Sequence, residues 1–262
     1  MNFTEEQFKL YKDYSLSFLN ITKECLPILT DTGKYIQSLY LGKDIPRYIV
    51  FCHDILKRVR ENLFFLTIYP PQKDNSVPLQ LILRCVFNDL IWLTYVVANL
   101  GNDEVLTPFL SYNDIVAIEG KMSFAKCEKE FMQLCGGDKW AAYFDTKIEG
   151  LSDACNEILS KFESKTKLRN STIYKTIDLA NYFKERNDLK DFYVVLYGPF
   201  KKLSQVEHYA NENRSYSYFG EATAFFFSRF AVSYKIAIEC LCKEIKMYIQ
   251  NNQICDVTVE LP

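Results

Sequence analysis

The sequence predicts an all-α protein, a single multi-helix bundle of about seven to nine helices, and three observations carry that expectation. Several long runs place apolar side chains at helical spacing, led by Leu79 to Leu100, LQLILRCVFNDLIWLTYVVANL. Period-two alternation is confined to the last eight residues, CDVTVELP, which leaves a short C-terminal strand or tail as the departure from helix. The 262 residues are 48% hydrophobic and 15% aromatic, enough to build a sizeable core without staples. No internal repeat, low-complexity tract or Ser/Gly/Pro linker divides the chain. One α-helical domain over residues 1–262 is therefore expected, with N-terminal helices in 4–100 and C-terminal helices in 112–250 packed as one unit.

Taken in order, Thr4-Glu5-Glu6-Gln7 has the form of a capping box, and Phe8, Tyr11, Phe18, Leu19, Leu26 and Leu29 follow at helical spacing. The first helix should end near Leu29, with Gly33 breaking it. Asp44 can cap and Pro46 can start a second helix to Tyr69, burying Ile49, Cys52, Leu56, Val59, Leu63 and Leu66; Pro70-Pro71 ends it. The Leu79–Leu100 helix follows and should stop at Gly101-Asn102. Asn113 to Cys135 and Asp138 to Lys165 read as two amphipathic helices separated by Gly136-Gly137, a C-cap pair rather than a phosphate loop, since GxxxxGK is absent. Ser171 or Thr172 can cap a helix through Arg186, and Asp188 opens another. Pro199 should kink that helix or start a new one, turning Phe200 to Tyr209 in a new direction. ANENRSYSYFGEA has no helical period and reads as a functional or partner-facing loop. A last helix, Glu221 to Gln250, buries Phe225, Phe226, Phe230, Ile236, Ile238, Leu241 and Ile245, and wets Arg229, Ser233, Lys235, Glu239, Lys243, Lys246 and Gln250.

Charge and cysteine usage narrow the function classes. With 31 basic and 33 acidic residues the net charge is −2, so no global basic field drives non-specific binding to nucleic acid or a membrane surface, although a local basic pocket remains allowed. Nine cysteines without a CxxC support neither a disulfide framework nor a zinc knuckle, and point to thiols in a reducing cytoplasm. The acidic N-terminus is unlike a signal peptide. Leu79–Leu100 carries Arg84, Asn88 and Asp89 at its middle, which argues against a membrane span. No membrane partner, metal or cofactor is expected.

The candidate site lies on that same helix. Gln80, Arg84, Asn88, Trp92, Tyr95 and Asn99 recur at spacings of four, four, four, three and four, a polar stripe along one face of an otherwise apolar helix. The chain has two histidines. His208 follows Ser204 by one helical turn, with Tyr193 and Tyr197 upstream, but no GxSxG supports a serine hydrolase. His53 lies in Arg47-x5-His53, a spacing of little specificity.

LILRCVFNDLIWLTYVV together with the later YGPFKKLSQVEH resembles an all-helical bacterial family catalogued as a domain of unknown function, whose pattern is an Arg, a carboxylate four or five residues on, then a distant Tyr and Leu-Ser-x-x-x-His. The matching positions are Arg84, Asp89, Tyr197, Leu203, Ser204 and His208, with Asn88 where a Glu would be the stronger match. The resemblance spans Leu79 to Tyr209. More distantly the layout is similar to the HEPN superfamily, whose active members cleave RNA without metal using an Arg and a His, often across a dimer interface, in toxin–antitoxin and anti-phage systems. That implies RNA as substrate, and a homodimer or a partner protein.

The residues support such chemistry on their own terms. Arg84 and Asp89 are costly to bury unless paired, and His208 beside a carboxylate would be an acid/base near neutral pH. A guanidinium can hold a phosphate bidentately while His208 moves a proton, and Trp92, Tyr95 and Tyr197 can stack on a base. The alternative is that the same network only fixes helix register, in a non-catalytic protein recognising a small ligand or a partner through the stripe or the Asn211–Gly220 loop.

Overall fold

The computed structural model describes residues 14–40, 45–69, 76–137, 140–170, 175–209 and 221–252, and these are almost entirely helical, with no strand among them. The helices are α1 (Tyr14–Ser38), α2 (Arg47–Ile68), α3 (Ser76–Ala98), α4 (Asp103–Leu134), α5 (Ala141–Leu159), α6 (Lys165–Asn170), α7 (Thr176–Glu185), α8 (Lys190–Phe192), α9 (Gly198–Tyr209) and α10 (Glu221–Asn251), with a π-helical turn, Tyr193–Tyr197, joining α8 to α9. The predicted Thr4 capping box, the Asp44 cap, Pro70-Pro71, the Ser171 or Thr172 cap, the Asn211–Gly220 loop and the C-terminal tail lie outside the described residues. The chain divides into two compact units, residues 1–100 with 176–262, and residues 101–175.

In the first unit α1 packs on α2 and α10, and α3 packs on α2, α7, α9 and α10. The α2 face predicted from periodicity is the buried one: Ile49, Cys52, Val59, Leu63 and Leu66 are fully inaccessible and Leu56 nearly so. Phe87 of α3 meets Phe230 edge-on at 5.8 Å between ring centroids and Tyr234 at 6.2 Å, an aromatic seam between α3 and α10. Tyr234 is fully buried, and its hydroxyl donates to Thr22 Oγ1 at 2.5 Å while Thr22 donates to the Phe18 carbonyl at 2.6 Å. A buried hydroxyl needs such a partner, and this one ties α10 to α1. Cys25 and Cys52 are buried in the same core, where desolvation pushes both thiols far above their ordinary value and leaves them inert.

Helices α1 and α10 differ from expectation. Gly33 does not break α1, which runs on to Ser38. Leu29, Thr32 and Ile36 are buried on its inner face, and that packing outweighs the ~1 kcal/mol a helical glycine costs. No heavy atom lies within 4 Å of where a Gly33 Cβ would stand. Gly33→Ala is accordingly expected to raise stability by about 0.5–1 kcal/mol, read as a higher urea midpoint at unchanged m-value. Pro199 stands in the first turn of α9, one of the two arrangements expected of it, and the backbone widens to π-helix over Tyr193–Tyr197 just before that turn. A π turn changes the register of the carbonyls that a proline would otherwise meet. On α10, Ser233 is buried and Phe226 is partly exposed, the reverse of the predicted faces at those two positions.

In the second unit α4 begins at Asp103, earlier than Asn113, because Asn102 caps it, accepting from the Val105 amide at 3.3 Å. Gly101 just before the cap has φ +80°, so the predicted stop of α3 falls where glycine is needed. The predicted C-cap pair forms a Schellman turn: Gly136 at φ +75° donates to Gln133 at 3.0 Å, and Gly137 to Met132 at 2.8 Å. The stretch expected as one helix over Asp138–Lys165 is α5 followed by a turn and α6. Tyr112, Ile115, Cys155 and Leu168 form the core of this unit.

Candidate functional site

The α3 stripe is divided between two neighbours. At its C-terminal end, Asn99 Nδ2 donates to the Tyr95 carbonyl at 2.8 Å, and Asn99 Oδ1 accepts from the Tyr182 hydroxyl of α7 at 3.2 Å. The Tyr182 ring lies edge-on to Tyr95, 5.1 Å between centroids. Arg186 donates to the Tyr182 oxygen and grips Asp188 with two bonds, at 3.1 and 2.5 Å. Burial pushes the Tyr95 phenol up to about 12, and the ring is 4% exposed. This end of the stripe is a closed network that docks α7, so Tyr95 offers no open stacking surface. Asn88, one turn beyond Arg84, accepts from Thr176 Oγ1 at the start of α7 at 2.6 Å.

Asp89 does not pair with Arg84. It faces α2, where Arg58 donates to both its oxygens, Nε at 3.2 Å and Nη2 at 2.8 Å. The reason is rotational. Five residues at 100° each turn Asp89 roughly 140° away from Arg84, whereas Asn88 at four stays on its strip. Burial pushes the Asp89 carboxyl above its ordinary range, with Arg58 opposing. Sequence reasoning missed Arg58; a buried carboxylate on the α2-facing side of α3 was the available signal.

Arg84, half-buried at the other end of the stripe, places its guanidinium 5.7 Å over the Phe200 ring of α9. Phe200 continues a ladder of rings: Tyr197 stacks on it at 6.2 Å and 26°, and Tyr193 lies tilted against Tyr197 at 5.4 Å and 32°. The π turn carries both tyrosines. Beside it, Lys202 lies over the Phe226 ring, and burial together with the Arg229 charge pulls its ammonium pKa down. Ser204 donates to the Phe200 carbonyl at 2.9 Å, an ordinary helix back-bond. Position 208 is on α9, about 40° around the helix from Ser204 and about 80° from Phe200; the His208 side chain lies outside the described residues. The fold thus brings Arg84, Tyr197 and α9 together, and sends Asp89 and Tyr95 elsewhere.

Among the described residues no three His, Cys, Asp or Glu side chains converge as metal ligands. The segment Pro78–Ala98 has the length and mean hydropathy, 1.6, of a helix able to cross a membrane, and 56% of it is buried inside the fold. No known family model, curated protein or solved structure matches this chain.

Proposed function

We propose that the chain is a HEPN-like helical effector that cleaves RNA without a metal, acting in the bacterial cytoplasm in a defence or toxin–antitoxin setting, as a homodimer or with a partner protein. The observation that supports this reading is the packing of α3 on α9, which sets Arg84 over Phe200 on the helix that also carries His208. Arg84 would hold the non-bridging oxygens of a phosphodiester, and the Tyr193–Tyr197–Phe200 ladder would present faces on which bases stack. The ribose 2′-hydroxyl attacks the adjacent phosphorus, its proton passes to the imidazole of His208, and the 5′-oxygen leaves with a proton from a second acid, a second copy's histidine in a dimer. The products are a 2′,3′-cyclic phosphate and a 5′-hydroxyl.

Asp89 is left out of this scheme because Arg58 occupies it, and Ser204 because its hydroxyl is bonded to its own helix. The experiment is expression of wild type, Arg84→Ala and His208→Ala in bacteria, with growth and RNA integrity followed together. Wild type is expected to slow growth and fragment RNA to cyclic-phosphate ends, and both variants to be harmless while equally soluble. A harmless wild type that leaves RNA intact would favour the non-catalytic binding protein instead, with the stripe fixing helix register.

A further inference from the structure

Between α1 and α2, on helices that the RNA reading does not use, a cleft of about 170 Å³ is lined by Lys34 from α1 and by His53, Lys57 and Arg60 from α2. We propose that this cleft is a binding site for a small anion, a phosphate monoester.

Charge is the first argument. No carboxylate lines the cleft, in a chain that is slightly acidic overall. Two ion pairs of these helices lie away from the cleft lining: Arg58 is taken by Asp89, and Glu24 by Lys235. Asp54 stands 3.6 Å from Nδ1 of the cleft-lining His53 and pairs with none of the cleft's lysines or arginine among the described residues. Asp31 and Glu61 are exposed on the same helices and form no ion pair with Lys34, Lys57 or Arg60 among the described residues. Lys34, Lys57 and Arg60 line one cleft with no carboxylate in its lining, and a dianion placed there would be attracted by all three.

Shape is the second. The cleft is smaller than the ~300–1,000 Å³ that holds a drug-sized ligand, and suits a small anion or a phosphate head-group. Its donors are of complementary kinds: a planar fork from Arg60, point charges from the two lysines, and the neutral polar groups of Thr30 and Gln37. Tyr40 packs edge-on to the ring of the cleft-lining His53 at 5.6 Å.

Gly33 is the third. It also lines the cleft, in the middle of a 25-residue helix where an alanine would fit with open space around it. The missing side chain leaves the α1 wall open, so that a ligand can reach it without meeting a methyl group. The Arg47-x5-His53 spacing acquires a different meaning here, since His53 lines the cleft with Lys57 and Arg60 whereas Arg47 does not.

The test is calorimetric titration of the intact protein with inorganic phosphate, adenosine 5′-monophosphate and adenosine, at constant ionic strength set with chloride. Phosphate and the nucleotide should both bind, and adenosine should not. Equal affinity for the two would make the free anion sufficient, and tighter nucleotide binding would show that the rest of the monoester is also held. Arg60→Ala and Lys57→Ala, both near the surface, should weaken binding tenfold or more. Gly33→Leu, which changes no charge, should abolish it. Should Gly33→Leu lose its helical circular dichroism, the two charge variants decide alone. Binding of phosphate no tighter than chloride, or undiminished in Arg60→Ala and Lys57→Ala, would overturn the proposal.

Discussion

In purified protein, His208→Ala is expected to slow cleavage of a single-stranded oligoribonucleotide by about 10²–10⁴-fold, the usual contribution of a positioned acid or base. Arg84→Ala should slow it comparably, and Arg84→Lys should recover little, because a lysine keeps the charge without the bidentate fork and stacks poorly on Phe200. Added imidazole should partly restore the His208→Ala rate and leave Arg84→Ala where it was, since only the first lacks a group that moves a proton. A structural role for both residues predicts a different pattern: lower thermal midpoints, rates in proportion to the folded fraction, and no response to imidazole. Phe200→Ala is informative beside them, because it removes the ring under Arg84 while leaving the clamp itself in place.

Arg58→Ala is expected to destabilise the fold by about 2–3 kcal/mol at pH 7, and Asp89→Asn by less than about 1 kcal/mol. The asymmetry follows from burial. Asp89 is 8% exposed, whereas the Arg58 side chain is 58% exposed, so deleting the arginine strands a buried carboxylate, while deleting the charge on Asp89 leaves a solvated guanidinium. An asparagine can still accept one of the two Arg58 bonds. The sign with pH follows from the direction of the shift. Burial, the larger influence, raises the native Asp89 pKa above the ordinary carboxylate value of 3.8, so the native state favours the protonated form. Stability from this group is complete below 3.8 and is lost as pH rises through the raised native value. Without Arg58 that value rises further, and the deficit of Arg58→Ala should be greatest at neutral pH and shrink as the solution is made acidic. Urea denaturation at pH 4.5 and pH 7.5 reads this directly. A deficit equal at both values would mean that the ion pair does not carry the effect, and retained cleavage in Asp89→Asn would place that residue outside the chemistry.

Much of the helical frame was legible in the sequence, because periodicity is a local property. The inward face of α2 could be named residue by residue, and the Gly101 stop and the Gly136-Gly137 cap follow from glycine's access to positive φ. The persistence of α1 through Gly33 was not legible in the same way, since the packing of α2 and α10 against it decides the outcome. Part of the candidate site could be foreseen: Arg84 and Asn88 share a strip by spacing alone. The divergence of Asp89 was implicit in the same spacing, five residues rather than four, but the pairing with Arg58 required α2 to be present.

What the sequence determined by itself is therefore the class of object, an all-α chain, and the polar stripe on its most apolar helix. Tertiary structure alone decided which partner each member of the stripe meets: Tyr182 and Thr176 of α7 close one end, and Phe200 of α9 underlies the other. It also gathered Lys34, His53, Lys57 and Arg60 into one cleft. A helix fixes the direction of its side chains within a few residues, whereas the choice of neighbour depends on which helices pack together, and that is set by burial summed over the whole unit.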